Sequence, residues 1–360
     1  MITAESGAEL LEEAGLTYST DNRPGWTRRR RGRGFSYHDT RGNLIRDGAA
    51  HQRIEALVIP PAWTNVWICP RSSGHVQATG RDDRGRKQYL YHSLWREGRD
   101  TAKYAGLPVF AAALPQLRRR LARDLAASSA GSGLPDRRTV TAALVSLLDL
   151  TLIRVGNSRY ASDNGSYGLT TLQGEHVEVS GDELQFNFVG KSGKEHEITL
   201  RNRRLAKIVR RCQELPGQDL FQFENEAGEP QVVRSDDVNA YLRESVGEEH
   251  SAKDFRTWAG TVLTAQRLHD IGAPTSESAA KRNVTAAVRG TAERLGNTLA
   301  VCRRCYVHPG VLDSYVAGEF VSRFDSALEA ASTDRPDGLR LAEAATLRYL
   351  TELPSERRPH

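Results

Sequence analysis

The spacing of apolar residues changes near Trp95, and this change constrains the fold more than any other feature of the sequence. From Gly34 to Tyr91, apolar residues lie in short alternating runs between turn sequences, which is the pattern of antiparallel strands. Beyond Trp95 they recur at helical spacing, except in residues 176–200, where alternation returns. The sequence therefore predicts an α+β protein, with a small β-rich N-terminal domain and a mainly α-helical domain that carries a three-stranded antiparallel sheet.

We expect three segments along the chain: a β-rich N-terminal domain in residues 1–96, a mainly helical domain in 97–345 and a C-terminal tail in 346–360. Strands of the first domain are expected at residues 35–39, 66–69, 75–79 and 87–91. The inserted sheet is expected at 176–179, 184–189 and 195–200, which places Lys191 at a hairpin tip. Helices are expected at 114–127, 138–153, 202–212, 235–246, 253–269, 278–295, 311–327 and 339–349.

The composition is that of a soluble globular protein. The chain has 360 residues, of which 39% are hydrophobic and 26% are charged. No apolar run reaches membrane-spanning length, and the N-terminus lacks the apolar segment of a signal peptide. We therefore expect a cytoplasmic protein with no membrane partner.

The positive charge is modest in total but concentrated in places. The formal net charge is +5 and the pI about 9.1, which alone favours nucleic acid only weakly. A dense basic run covers residues 28–33, and a second basic group, Arg81 to Lys87, precedes Tyr89 and Tyr91. Such runs are often solvated surface, but aromatic neighbours favour contacts with phosphates and bases.

The cysteines do not indicate a metal or disulfide site. Four cysteines are too few for a disulfide framework in a cytosolic chain of this length. Cys302 and Cys305 form a CxxC pair, but structural zinc needs four ligands, and Cys69 and Cys212 are isolated in the sequence. A redox CxxC would need a thioredoxin-like βαβ context, which the pattern lacks. We expect no metal site and interpret the pair as helix residues that flank two arginines.

Tyr306 and three cationic residues form the set best suited to chemistry. Tyr306 ends a basic helical stretch and follows Arg154, Lys191 and Arg256, which lie in three separate segments. Taken singly, each has an ordinary explanation: a helix-dipole partner, an exposed turn lysine, a surface ion pair and a tyrosine at the edge of the core. Their order across a helix, a hairpin and two further helices favours a shared site.

This set of residues suits attack on a phosphodiester. Such attack needs a nucleophile, donors for the non-bridging oxygens, a proton for the leaving alkoxide and in-line geometry. A phenol ordinarily has a pKa of about 10, so a cationic cluster would favour its ionised form. Two arginines can each present a planar fork to phosphate oxygens, and a lysine at a hairpin tip can protonate the departing 5′-oxygen. The amide of Asn297 can add a neutral donor. This chemistry requires neither a metal nor a nucleotide cofactor.

Longer motifs around these residues give the sequence a specific resemblance. They are GRKQYLY at 85–91, IRVGNSRY at 153–160 with GLTTL at 168–172, VGK at 189–191, KDFRT at 253–257 and the stretch 291–306. From about Gly34 to about Ala330, the chain resembles type IB DNA topoisomerases of the short poxvirus-like form found in bacteria. The resemblance implies the fold that these enzymes share with tyrosine recombinases. It also implies relaxation of supercoiled DNA by transient single-strand cleavage, strand rotation and religation.

The resemblance assigns roles at the matching positions. Tyr306 would be the nucleophile that forms a 3′-phosphotyrosyl bond, and Arg154 and Arg256 would stabilise the transition state. Lys191 would be the general acid for the 5′-hydroxyl, with Lys253 as an assisting acid. Poxvirus members carry His where this chain has Asn297, so we expect a transition-state hydrogen bond there without imidazolium chemistry. The positions that match DNA contacts are Arg86, Gln88, Tyr89, Tyr91, Asn157, Arg159 and Tyr160.

The implied partner is duplex DNA. By the same resemblance, the two domains would form a C-shaped clamp, with the N-terminal hairpins facing the major groove. We expect a monomer associated with the nucleoid that requires no cofactor. The arginine run at 28–33 is expected to add phosphate contacts that do not depend on DNA sequence.

Two other functions remain open on the sequence. A tyrosine recombinase or integrase shares this chemistry. Those enzymes usually carry His-x-x-Arg where this chain has Lys253 and Arg256, and they have a helical core-binding domain in place of the β-rich domain. A non-catalytic clamp that binds duplex DNA is the second alternative, and the complete set of candidate catalytic residues argues against it.

Overall fold

The computed structural model describes residues 4–127, 135–158, 161–162, 165–225, 227–248 and 250–353. Within these residues the chain forms two compact units, which divide between Ala105 and Gly106. The domain boundary expected after residue 96 lies within the last helix of the first unit, Ser93–Ala105. In the described part of the chain, no helix combines the length and the apolar character needed to cross a bilayer.

The first unit is built on a five-stranded antiparallel sheet in the order β2-β1-β3-β4-β5. Its elements are α1 Ala4–Glu13, β1 Trp26–Arg31, β2 Gly34–His38, α2 Gly48–Ala56, β3 Thr64–Ile68, β4 Val76–Arg81, β5 Lys87–Tyr91 and α3 Ser93–Ala105. Ile54 of α2 packs in one apolar cluster with Val66, Ile68 and Ala78 of the sheet. This cluster fixes the sheet from which the β4–β5 hairpin projects.

The arginine run of residues 28–33 lies mostly in strand β1, which the sequence pattern did not predict. The Arg28 guanidinium donates to the carbonyls of Ile59 at 3.1 Å, Pro60 at 2.9 Å and Trp63 at 2.6 Å. The other arginines of the run are exposed. Arg28 occupies the half-buried position at which an apolar residue would be expected, and its guanidinium is satisfied by carbonyls. The sequence of this strand therefore lacks the apolar alternation that would have predicted it.

The second unit is mainly helical, and one helix lies at its centre. Its helices are α4 Leu107–Ala127, α5 Arg137–Thr151, α6 Arg203–Gln213, α7 Ser235–Val246, α8 Ala252–Ile271, α9 Glu277–Leu295, α10 Leu299–Tyr306, α11 Pro309–Val316, α12 Phe320–Thr333 and α13 Leu341–Glu352. Helix α8 packs against α4, α5, α7 and each of α9 to α13. Residues on α8 are therefore held from several sides.

The three-stranded sheet of the second unit has the predicted antiparallel arrangement. Its strands are β6 Val177–Ser180, β7 Glu183–Gly190 and β8 Lys194–Arg201, in the order β6-β7-β8. A tight turn, Lys191–Gly193, joins β7 to β8, and Ser192 in it takes a left-handed φ of 69°. The prediction that Lys191 lies at a hairpin tip is confirmed.

Two local features differ from the prediction. The single helix expected at 311–327 is two helices, α11 and α12, separated where Gly318 adopts a φ of 79°. Glycine takes this conformation without strain, whereas the apolar spacing continues across the break and conceals it. A short hairpin, β9 Gln222–Glu224 and β10 Pro230–Val232, was not predicted.

Helix α13 covers residues that the sequence assigned to a tail beginning at 346, while residues 354–360 lie outside the described part. Arg118 of α4 donates to Asp149 of α5 at 2.8 and 2.9 Å and to Glu343 of α13 at 2.8 Å. Glu343 is only 5% exposed, so its carboxylate needs this partner. The network fixes α13 against α4 and α5.

Candidate active site

Tyr306 is the last residue of helix α10 and lies close against helix α8. Thr298 caps the start of α10 by accepting a hydrogen bond from Val301 N at 3.3 Å. A Cβ placed on Gly260 of α8 would lie 2.4 Å from the carbonyl oxygen of Tyr306, so only glycine permits this approach. Beyond the tyrosine, the His308 amide donates to Thr261 Oγ1 of α8 at 3.1 Å. The backbone of Tyr306 is thus fixed on the central helix.

Arg256 is a buried cross-link at the centre of the site. It lies on α8, is 4% exposed, and donates to the backbone carbonyls of Leu152 and, at 2.6 Å, of Leu295. Its guanidinium carbon lies 5.1 Å from the centre of the Tyr306 ring. The two carbonyls belong to the ends of α5 and α9, two residues before Arg154 and Asn297. One side chain therefore ties together the segments that carry these residues.

The backbone conformation at the end of α5 places Arg154. Leu152 takes a left-handed φ of 61°, which ends the helix and turns the chain toward Arg154. The Arg154 carbonyl then accepts from Leu169 N at 2.9 Å, and the Val155 carbonyl accepts from Thr170 N at 2.7 Å. The motif GLTTL at 168–172 thus holds the Arg154 segment in place.

Asn297 follows the end of helix α9. Gly296 caps that helix with a left-handed φ of 63°, and the Asn297 amide nitrogen donates to the Ala292 carbonyl at 2.9 Å. The side-chain oxygen of Asn297 accepts a hydrogen bond from Arg154. Its side-chain nitrogen is buried and has no partner within the described residues. A guanidinium and an amide are therefore already joined at the end of helix α9.

The two lysines stand apart from this cluster. Lys191 is exposed at the β7–β8 turn, directly after Gly190. Lys253 is exposed in the first turn of α8, one helical turn before Arg256. The structure brings Tyr306, Arg154, Arg256 and Asn297 together, and it places Lys191 on a neighbouring hairpin.

The cluster is strongly cationic. Burial lowers the pKa of Arg256, the positive charge of Arg154 lowers it further, and the phenol of Tyr306 raises it. Among the residues that the structure describes, no carboxylate forms an ion pair with Arg154 or with Arg256. Two neighbouring cations without a counter-ion make a site that favours an anion such as phosphate.

The β4–β5 hairpin of the first unit carries the predicted DNA-contacting side chains. Asp82 accepts from Arg86 Nε at 2.8 Å and from Gln88 Nε2 at 2.9 Å, and chiefly the bond from Arg86 lowers the pKa of Asp82 to about 2. Tyr89 and Tyr91 stack with their ring centres 5.9 Å apart. Two polar and two aromatic side chains are thus held in fixed positions on one hairpin.

The remaining predicted DNA contacts belong to the segment after Arg154. Within that segment, Asn157 is exposed. Arg159 and Tyr160 lie outside the described residues, so their roles in DNA contact stay predictions.

The CxxC pair lies on helix α10 beside the site. Cys302 is buried and Cys305 half-buried, and both are free thiols. Burial raises the pKa of Cys302 to about 11, which keeps it a thiol at neutral pH. No group of three or more metal-ligating side chains was found in the described residues.

The motifs missed His196, which lies next to the cluster. Its imidazole stacks on Phe188, with ring centres 4.9 Å apart, and Arg154 and Arg256 both influence its protonation. The alternation of β8 contained the signal, because a histidine precedes Ile198 and Leu200 in the inward-facing row. A polar residue in such a row indicates a special environment.

Two family models match the chain. The model of the eukaryotic DNA topoisomerase I catalytic core matches residues 92–317, and that of the bacterial DNA topoisomerase IB N-terminal domain matches residues 34–82. Among known proteins, DNA topoisomerase 1B of Acanthamoeba polyphaga mimivirus is 33% identical over 273 residues, covering 73% of this chain and 79% of the viral protein. DNA topoisomerase I of monkeypox virus is 22% identical over 274 residues, covering 74% of this chain and 82% of its own. DNA topoisomerase 1B of vaccinia virus, strain Copenhagen, has the same identity and coverage.

Proposed function

Because the chain belongs to the type IB DNA topoisomerases, we propose that it relaxes supercoiled duplex DNA through a 3′-phosphotyrosyl intermediate on Tyr306. One observation carries the proposal. Arg256 lies beside Tyr306, and Arg154 is close enough to Arg256 for its charge to lower the pKa of that guanidinium, with neither arginine paired to a carboxylate of the described residues. Asn297, bonded to Arg154 through its oxygen, has an amide nitrogen without a partner there. These donors suit the negative charge that builds on the non-bridging oxygens of a phosphodiester under attack.

Cleavage exchanges one phosphorus–oxygen bond for another. The Tyr306 oxygen attacks phosphorus while the phenol proton passes to solvent, and the bond from phosphorus to the 5′-oxygen breaks. Lys191 gives a proton from Nζ to that oxygen, so a neutral 5′-hydroxyl departs. Lys253, one turn before Arg256, would assist this transfer. Religation runs the same exchange in reverse, and no nucleotide is consumed because the bond energy stays in the phosphotyrosine.

The donors divide the two non-bridging oxygens between them. Arg154 donates a hydrogen bond to Asn297 Oδ1, so its guanidinium and the Nδ2 group of the same amide would bind phosphate as one unit. Arg256 already spends two of its five N–H groups on the carbonyls of Leu152 and Leu295, which leaves the unpartnered Nε and two others for phosphate. Both arginines would thus be oriented before DNA binds.

The DNA contacts proposed outside the site are Arg86, Gln88, Tyr89, Tyr91, Asn157, Arg159 and Tyr160. The stacked tyrosines and the Asp82-held polar pair support this, since they are fixed without DNA. One chain carries the nucleophile, the phosphate donors and the acid, so we propose that it acts as a monomer. Its place of action would be the nucleoid, where duplex DNA is found.

Covalent trapping tests the assignment. The protein is incubated with duplex DNA in EDTA without ATP, then denatured, and protein attached to the 3′ end is measured. We expect an adduct from the wild type, none from Tyr306→Phe and an undiminished amount from Tyr18→Phe, which alters an exposed tyrosine of the first unit. An adduct that survives Tyr306→Phe would overturn the assignment. Relaxation of supercoiled plasmid under the same conditions should follow the adduct across the three proteins.

A further inference from the structure

His196 occupies a position that strand alternation reserves for an apolar side chain. On β8 the residues paired with the buried side of β7 are Leu200, Ile198 and His196, and His196 pairs with Phe188. The two rings lie nearly parallel, with an interplanar angle of 13°. The imidazole is therefore held flat on the sheet near the end where β7 and β8 turn.

The free edge of this imidazole contacts two glycines. A Cβ placed on Gly190 would lie 2.6 Å from His196 Cδ2 and 2.7 Å from Nε2. A Cβ placed on Gly296 would lie 2.6 Å from His196 Cε1. Both distances are shorter than real carbon contacts, so the ring fills the space that a side chain would need. Gly190 directly precedes Lys191, and Gly296 directly precedes Asn297. The ring therefore lies against the backbone next to each of these two site residues.

The charge state of the ring agrees with this packing. Burial lowers the pKa of His196, and the charges of Arg154, Arg256 and Lys194 lower it further. A neutral imidazole can pack among these cations without repelling them. The ring is thus a rigid uncharged body between two backbones.

We propose that His196 is a positioning residue: its ring holds the Lys191 hairpin at a fixed distance from the Asn297 segment. It touches neither the substrate nor the reacting atoms. It acts by keeping the ammonium of Lys191 on the same phosphate that Asn297 and Arg154 bind. The inference rests on the proposed function, because the position of Lys191 matters only if Lys191 supplies the proton.

The leaving group separates this role from a purely structural one. A 5′-bridging sulfur leaves as a thiolate, which has an ordinary pKa near 8.5 and needs no general acid, whereas a 5′-oxygen needs one. In single-turnover cleavage of an oxygen substrate, we expect His196→Ala to be slower than the wild type by about 10- to 100-fold, the order of loss that a misplaced group causes. On the sulfur substrate it should come within about threefold of the wild type. His196→Phe keeps a ring between the glycines and should be faster than His196→Ala on the oxygen substrate.

A variant of Gly190 provides the matched test. Its φ of −95° and ψ of −167° are accessible to alanine, so Gly190→Ala costs little besides the clash with His196. We expect Gly190→Ala to slow oxygen-substrate cleavage, and Gly190→Ala with His196→Ala to be no slower than His196→Ala alone. If the two losses instead multiply, the ring does not act as the spacer.

Lys191→Ala distinguishes failure of this inference from failure of the proposed function. If sulfur rescues Lys191→Ala but not His196→Ala, Lys191 is the acid and His196 does not position it. If sulfur rescues neither, the acid is misassigned and the inference falls with it. Arg154→Ala should stay slow on both substrates, since sulfur does not replace a donor to the non-bridging oxygens.

Discussion

Arg154 donates a hydrogen bond to the side-chain oxygen of Asn297, and this bond determines which end of the amide faces the reaction. A guanidinium has no acceptor, so only the amide oxygen can be its partner. The amide nitrogen is left as a buried donor without a partner in the described residues. A neutral side chain is thereby fixed as a donor in a site whose other proposed phosphate donors are cations.

Substitution of Asn297 should show that the donor matters. Asn297→Ala is expected to slow single-turnover cleavage by about 100-fold, because loss of one preorganised donor costs about 10²–10³. Asn297→Asp keeps the shape and the bond from Arg154 but turns a negative charge toward the phosphate, so it should be slower still. Measuring the rates at saturating DNA concentration separates this loss of cleavage rate from weaker DNA binding. An aspartate variant faster than the alanine variant would contradict the donor role.

Gly260 should tolerate no side chain, although helices favour alanine. Gly260→Ala would gain about 0.5–1 kcal/mol of helix propensity, but the added Cβ would lie 2.4 Å from the Tyr306 carbonyl oxygen. We expect slower cleavage because Tyr306 must move. Gly290→Ala on α9 is the matched control, since the added Cβ would meet only the flexible end of Arg267. Equal cleavage rates in the two variants would show that the close approach is unimportant.

Replacing Arg256 or Arg154 by lysine should have different consequences. Arg256→Lys cannot bridge the carbonyls of Leu152 and Leu295, so we expect the free energy of unfolding to fall by about 1–3 kcal/mol, the cost of a buried group left unpaired. Arg154→Lys loses the planar guanidinium fork that would face the phosphate. It should therefore lower the cleavage rate, with little change in the free energy of unfolding measured in urea. Comparable unfolding curves for both variants would refute the cross-linking role of Arg256.

The arginine run should divide into one structural and several DNA-facing residues. Arg28→Gln removes donors to three carbonyls and should destabilise the first unit, with little effect on the salt dependence of DNA binding. Glutamine at all of Arg29, Arg30, Arg31 and Arg33 should flatten that dependence, since each phosphate contact contributes about 0.9 to the slope of log affinity against log salt. An unchanged slope would exclude these four from DNA binding.

Asp82 should organise the DNA-contacting hairpin over the whole neutral range. Its pKa in the folded chain, about 2, lies below the ordinary 3.8, so its stabilising bonds are complete above about pH 4 and are lost as the pH falls toward 2. In a Tyr306→Phe background, Asp82→Asn should reduce discrimination between duplexes of different sequence by the same factor at pH 5 and pH 8. A factor that differs between these two pH values would contradict the linkage.

The sequence predicted what depends on local pattern. The β7–β8 hairpin, helix α8 and the end of α10 follow from apolar spacing and turn residues, so Lys191, Arg256 and Tyr306 could be placed on their elements. What it could not predict depends on contacts between distant segments. The bond from Arg256 to Leu152 spans 104 positions of the chain, and the bond from Arg256 to Leu295 spans 39. The contact of His196 with Gly296 likewise joins two separate segments. Strand β1 was missed because a guanidinium bound to carbonyls replaces the apolar residue that would have marked it.

The ion network of Arg118 has a consequence for where the chain can be cut. Helix α13 packs on α8, the helix that carries Arg256 and Gly260, and Glu343 anchors it to Arg118. A protease or a stop codon acting just before Leu341 would remove no residue of the reaction centre. It would nevertheless remove a helix that packs against α8, on which the reaction centre is built. Arg118 would keep only one carboxylate partner, Asp149. Inactivation by such a truncation would resemble the loss of a catalytic segment, although its cause would be lost packing against α8.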